Sequence, residues 1–288
     1  MKTILIPIDF SNGSLMTCKY AIHLAGDRPS RIVLLHVYPD QLMVPDSSFP
    51  SGIDSDNFLS NELIIELRKN AIKNMLDFSK EVKSYLNKKN LKHIELRHEV
   101  TGGDPYWEVH SVANKIDPEL VVMGTHGDGK KGFLEGSMAE HIMNKLDIPV
   151  LAVPESVDAL KVQNIMYATN YNDKDYKKIK TLLDLFQHPQ SKINIVHFEL
   201  QGTTHEDLSM MDSLRNNLKV EFPNRNISFH AVDSGKKSEV LKEFTDEYEI
   251  NVIAFIAHKT NIFKNLFSSQ IHKKDFFKLE LPMLALHE

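Results

Sequence analysis

Residues 124–137 read Gly-Thr-His-Gly-Asp-Gly-Lys-Lys-Gly-Phe-Leu-Glu-Gly-Ser. Five glycines in this stretch let backbone N–H groups come close to an anion, since no Cβ stands in the way. Ser137 adds a hydroxyl donor. The amphipathic run that opens at Met138 offers the positive end of a helix dipole. A phosphate-bearing ligand is the natural guest of such a loop. A second chemical group precedes it by more than a hundred residues: Asp9, whose carboxylate can accept hydrogen bonds from ribose hydroxyls or base amines.

These residues need elements to hold them. The apolar run Leu120-Val121-Val122-Met123 before the glycines reads as a buried strand, and Met138-Ala139-Glu140-His141-Ile142-Met143-Asn144 after them as a helix. Asp9 follows another short apolar run, Ile4-Leu5-Ile6. Further β-rich runs lie near 31–37, 94–100 and 149–153, and in the second half near 163–169, 192–199, 226–232, 251–257 and 282–287. Helical patterns alternate with them. In the longest, about Asn61 to Leu86, Ile64, Leu67, Ala71, Ile72, Met75, Phe78, Val82, Tyr85 and Leu86 recur at three- and four-residue steps and predict one buried face. Strands alternating with helices imply α/β sheets of parallel strands covered on both faces. In such sheets ligands sit beyond the carboxyl ends of the strands, where strand order reverses.

The plan occurs twice. The segment 3–10 resembles 164–171, the stretch around His36 resembles that around His197, and Ile148–Val153 resembles Leu281–Leu286. The offset is 161 residues between His36 and His197 but 133 between Pro149 and Pro282, so the first copy carries 28 more residues in its middle. The stretch 39–57, rich in Pro, Ser and Asp, is the expected insertion. The predicted domains are 1–154 and 163–288, joined by a short linker near Pro154–Val162.

Composition narrows the function classes. The 288 residues carry a formal net charge of -5, which implies no broad basic surface for nucleic acid. Cys18 is the single cysteine, so no internal disulfide forms, and a reducing, cytoplasmic setting is expected. The N-terminal apolar run is broken by Pro7 and Asp9 and is too short for a signal peptide or a membrane span.

The combination of motifs resembles the universal stress protein family, in a tandem arrangement over nearly the full chain. The resemblance rests on Gly124, Gly127, Gly136 and Ser137, on Ile-Pro-Ile-Asp-Phe-Ser at 6–11, on Leu-His-Val at 35–37, and on Ile-Pro-Val-Leu-Ala-Val at 148–153. It implies two Rossmann-like domains, each an open five-stranded parallel sheet with helices on both faces. It also implies binding of ATP or another adenine nucleotide, with or without Mg²⁺. Pro7, Asp9 and Val37 would then hold the adenosine end, Gly124 and Gly127 would pass close to ribose and phosphate, and Gly136, Ser137 and Met138 would receive the phosphates. The loop departs from the family pattern by one residue fewer between Gly127 and Gly136, and Asp128 adds a negative charge that Lys130 and Lys131 would offset. The terminal strands Val150–Val153 and Met283–Leu286 would join the two halves as an internal pseudo-dimer, and two chains would form a homodimer.

In the second copy Asp9 corresponds to Asn170, Pro7 to Ala168 and Val37 to Phe198. The loop Ala257-His258-Lys259-Thr260 runs to Ser268-Ser269 without a glycine. No ordinary ATP site is expected there. The leading reading is therefore a stress-response sensor or regulator that binds nucleotide in its first domain and is read by a protein partner. A structural or interaction module and a slow ATPase or nucleotidyl transferase are the alternatives, and no catalytic base or metal-ligating pair stands out. Gly124-x4-Gly129-Lys130 mimics a P-loop, but Lys131 takes the place of the Ser or Thr that holds Mg²⁺. His126 is expected to be a structural loop histidine, His36 and His197 to serve packing or backbone hydrogen bonding, Cys18 to be inert, and Trp107 to pack.

Overall fold

The protein is represented by a computed structural model, which describes residues 2–40, 55–125, 138–157, 162–169, 171, 173–188, 190–199, 205–233, 237–257, 276 and 278–287. It divides into two compact units, Met1–Met123 and Gly124–Glu288.

In the first unit β1 (Lys2–Pro7), β2 (Ser30–Tyr38), β3 (Ile94–Gly102) and β4 (Leu120–Gly124) alternate with α1 (Asn12–Ala25), α2 (Ser55–Lys88) and α3 (Pro105–Ile116). Their spatial order is β3-β2-β1-β4. All pairings are parallel, with Ile4 opposite Ile32 and Leu120, and Ser30 opposite Ile94. Strand order thus reverses at β1, between β2 on one side and β4 on the other. Ile4, Leu5 and Ile6 are buried, as are Leu120 to Met123, because a central parallel strand is covered on both faces and needs apolar residues throughout.

Local chemistry sets the helix ends. Ser11 caps α1 by accepting from the Ser14 amide, and Gly26 closes it at φ 59°, its N–H reaching the His23 carbonyl. Asp104 caps α3 by accepting from the Tyr106 and Trp107 amides, with Pro105 at the first helical position, where a missing N–H costs nothing. α2 packs on β2 and β3 through Ala71, Met75, Phe78, Val82 and Leu86. Ile72, expected on that face, is instead 42% exposed. The helix also begins at Ser55, earlier than its apolar periodicity predicts.

The second unit holds α4 (Met138–Lys145), β5 (Val150–Val153), β6 (Asn164–Thr169), α5 (Asp175–Leu185), β7 (Lys192–Glu199), α6 (His205–Glu221), β8 (Asn226–Asp233), α7 (Lys237–Glu247), β9 (Val252–Ala257) and β10 (Met283–His287). Here the order is β10-β9-β6-β7-β8, all parallel, with β5 antiparallel to β10. Ile165 lies opposite Ile193, which repeats the Ile4–Ile32 register 161 residues on. Each observed strand starts and ends within two residues of its predicted span. The bulk of the expected insertion, 41–54, lies outside the described residues.

Candidate functional site

β1 ends at Pro7, beside Leu35 of β2, and the Ile8 amide continues the ladder to the Leu35 carbonyl at 2.8 Å. The chain then turns sharply, with Phe10 in the left-handed region at φ 65°. A side chain there is strained by roughly 1–2 kcal/mol, so its neighbours must hold it. They do so through His36: the Phe10 and His36 rings lie 4.2 Å apart, and His36 Nδ1 reaches the Ile8 carbonyl at 2.9 Å. A carbonyl only accepts, so the proton of the neutral ring sits on Nδ1. Burial pulls the His36 pKa below the usual histidine value, against the opposing pull of the Ile8 bond and the Asp9 charge.

This turn presents Asp9. Its Oδ1 accepts from the Ser14 hydroxyl at 2.6 Å and from the Ser11 amide at 3.0 Å, and the Asp9 amide donates to Ser14 Oγ at 3.1 Å. Among the described residues no donor reaches Oδ2. The residue is solvent-exposed, yet atoms crowd its carboxylate. That crowding pushes the pKa up, but the hydrogen bonds from Ser11 and Ser14 outweigh it and hold the group below the ordinary carboxylate value. Asp9 is therefore an ionised carboxylate, fixed by one oxygen and open at the other. Pro7 and Val37 flank it half-buried at the ends of β1 and β2. Neither Ser11 nor Ser14 stands among the candidate site residues of the sequence. The hydroxyl five residues after Asp9, within the first helical turn, was the available signal.

The rim of β2 and β3 is tightly built. Gly103 donates its N–H to the Tyr38 carbonyl at 3.0 Å, and the Thr101 hydroxyl donates to Glu108 at 3.1 Å. A Cβ on Gly102 would come within 2.8 Å of the Asp40 Cβ and 3.0 Å of the Tyr38 ring, so any other residue here must displace those side chains. Trp107 was expected to pack. It stands 65% exposed instead, because α3 turns its Val109, Val112 and Ala113 side to the sheet.

Of the glycine motif, Gly124 closes β4 and Met138 opens α4. Gly127, Gly136 and Ser137 lie outside the described residues, as do His126, Asp128, Lys130 and Lys131. Among the described residues no group of three or more His, Cys, Asp or Glu is placed to hold a metal. Cys18 is fully buried, and burial pushes its thiol pKa well up, out of the reactive range.

The second unit repeats the turn but not the open carboxylate. Tyr171 takes the left-handed conformation at φ 54°, its ring 4.5 Å from His197, whose Nδ1 reaches the Thr169 carbonyl at 2.9 Å. Both histidines thus have the backbone-bonding role expected of them. Ser14, however, corresponds to Asp175, which is buried and accepts from the Tyr167 hydroxyl at 2.6 Å and from the Thr169 hydroxyl. Ala168 and Phe198, which match Pro7 and Val37, are buried as well. The carboxylate here is consumed by the fold. Asn170 lies outside the described residues.

Comparison with known proteins gives concordant matches. The sequence model of the Universal stress protein family matches residues 1–154. Universal stress protein MJ0531 of Methanocaldococcus jannaschii is 33% identical over 153 residues, 53% of this chain and 81% of that protein. Universal stress protein YxiE of Bacillus subtilis is 27% identical over 150 residues, 52% of this chain and 96% of that protein. Among solved structures, a universal stress protein from Archaeoglobus fulgidus superposes with a TM-score of 0.62 at 15% identity, covering 99% of this chain and 96% of that one.

Proposed function

The chain belongs to the universal stress protein family, and from that premise we propose that its N-terminal repeat, residues 1–154, binds an adenine nucleotide and acts as a nucleotide-responsive regulator. The observation that carries the proposal is Asp9: ionised, fixed through Oδ1 by Ser11 and Ser14, and with Oδ2 open at the carboxyl end of β1. Ribose hydroxyls or a base amine can donate to that oxygen without disturbing the turn. Pro7 and Val37 supply apolar surface beside it. The reversal of strand order at β1 is where ligands settle in open α/β sheets. Beyond β4 the glycines 124, 127 and 136, with Ser137 and Met138, are assigned to the phosphates, where bare backbone N–H groups and a helix start suit an anion.

Binding regulates if the nucleotide prefers one arrangement of the glycine loop and so shifts its population, which a protein partner then reads. Mg²⁺, if present, is assigned to the phosphates rather than to a carboxylate cage. The C-terminal repeat, 163–288, is assigned a supporting role, since Asn170 stands where the first repeat has Asp9, and the carboxylate of Asp175, at the position of Ser14, is turned into the core. Mass spectrometry of small molecules released from the natively purified chain tests the proposal. An adenine nucleotide at near-stoichiometric amount supports it. No nucleotide released, together with no binding of ATP, ADP, AMP or cyclic AMP on titration, would leave the N-terminal repeat as an interaction module.

A further inference from the structure

α2 is longer than the strands it covers. Its 34 residues span roughly 51 Å at the rise of an α-helix, whereas the nine-residue strands β2 and β3 span roughly 30 Å. The N-terminal part of the helix therefore overhangs. Among its described side chains the first buried one is Ala71. A second apolar stripe runs along the helix about 100° around from the buried one: Ile65 is 54% exposed, Ile72 42% and Leu76 47%. Their seven- and four-residue spacing is that of a helix–helix seam. Lone exposed apolar residues are ordinary, but three aligned β-branched or Leu side chains crossing the overhang and the packed half form a continuous surface.

Charge along the same helix indicates what fits this surface. From Asn61 to Leu67 the only charges are Glu62 and Glu66. From Arg68 to Lys88 six basic residues stand against two acidic ones. A parallel partner would set acidic end against acidic end. An antiparallel copy of the same helix sets Glu62 and Glu66 against Lys69 and Lys73, twice over by symmetry, so the surface is complementary to itself.

We propose that a second copy of this chain docks here: two α2 helices pack antiparallel about a two-fold axis between Arg68 and Lys69, with Ile65 of each copy against Ile72 of the other. The interface lies on the first unit alone and is independent of nucleotide binding.

Sedimentation velocity of the full chain tests it. The expected species is a dimer of twice 33.0 kDa. Ile72→Glu should weaken dimerisation roughly 100-fold or more, because two apolar contacts are lost at once, while far-UV circular dichroism and melting stay those of wild type. If that variant misfolds, Ile65→Glu on the overhang makes the same test. Cysteine cross-linking gives the geometry, since the buried Cys18 thiol does not compete. Under mild oxidation Lys69→Cys, beside the axis, should form a disulfide-linked dimer, and Leu63→Cys, on the opposite side of the helix, should not. A chain that stays monomeric up to about 100 μM, a dimer indifferent to both Glu substitutions, or cross-linking through Leu63→Cys but not Lys69→Cys would overturn the proposal.

Discussion

The Ser14 hydroxyl donates to Asp9 Oδ1 at 2.6 Å while the Asp9 amide donates to the same Ser14 oxygen at 3.1 Å. This reciprocal clasp fixes the carboxylate to the first turn of α1 and leaves its other oxygen unengaged. Ser14→Ala removes both bonds. The expected result is a loss of about 1 kcal/mol in stability and a rise of the Asp9 pKa toward its ordinary value. Because the folded-state pKa is lowered, Asp9 contributes stability that is present above the unfolded value, 3.8, and lost as pH falls below it. Urea unfolding followed from pH 6 down to pH 3 should show a shallower acid limb in Ser14→Ala than in wild type.

In the second repeat the carboxylate of Asp175 depends on the Tyr167 and Thr169 hydroxyls inside the core. Tyr167→Phe takes away one donor from a buried acceptor without changing volume much. It should cost about 1–3 kcal/mol in chemical denaturation and leave nucleotide affinity unchanged. A parallel loss of affinity would mean that this end of the second repeat takes part in binding.

Burial depresses the pKa values of three histidines, His36, His230 and His287, and with them stability becomes sensitive to mild acid. Desolvation is the largest cause in each. At His287 it outweighs the carbonyl of Met143 and the charge of Asp147, while Lys178 adds to it. A histidine with a lowered folded-state pKa is protonated more readily when unfolded, so the stability of its neutral form is present above the unfolded value of 6.5 and lost as pH falls through it. Urea midpoints should therefore drop between pH 8 and pH 5.5. Replacing the buried ring in His287→Gln should reduce that drop, whatever it does to stability at pH 8.

Gly102→Ala places a Cβ within 2.8 Å of the Asp40 Cβ and 3.0 Å of the Tyr38 ring. The crowding should cost about 1–3 kcal/mol in thermal or urea unfolding, and displacement of Tyr38, next to Val37, should weaken nucleotide binding as well.

Much of this architecture is legible in the sequence because parallel strands buried on both faces leave continuous apolar runs, such as Leu120–Met123, and because the second copy repeats the first. Asp9 and Val37 could be placed at strand ends from that pattern alone. The finer chemistry was not legible. Both repeats make the same left-handed turn, at Phe10 and at Tyr171. A carboxylate faces out when it stands before the helix, like Asp9, and in when it stands in the first helical turn within reach of core hydroxyls, like Asp175. Which hydroxyls lie within reach has no periodic signature. Ile72 fits the three- and four-residue rhythm of α2 yet faces water, since a helical rhythm fixes a stripe only to within its width. Trp107 misled in the same way: a large apolar residue near a helix start carries no sign of which way that helix turns.

Titration calorimetry of ATP into wild type and Asp9→Ala measures the open carboxylate directly. One site per chain, with affinity falling roughly 10- to 100-fold in Asp9→Ala as a charge-assisted hydrogen bond is lost, is the predicted result. Two sites per chain, or an affinity that Asp9→Ala does not change, would contradict it.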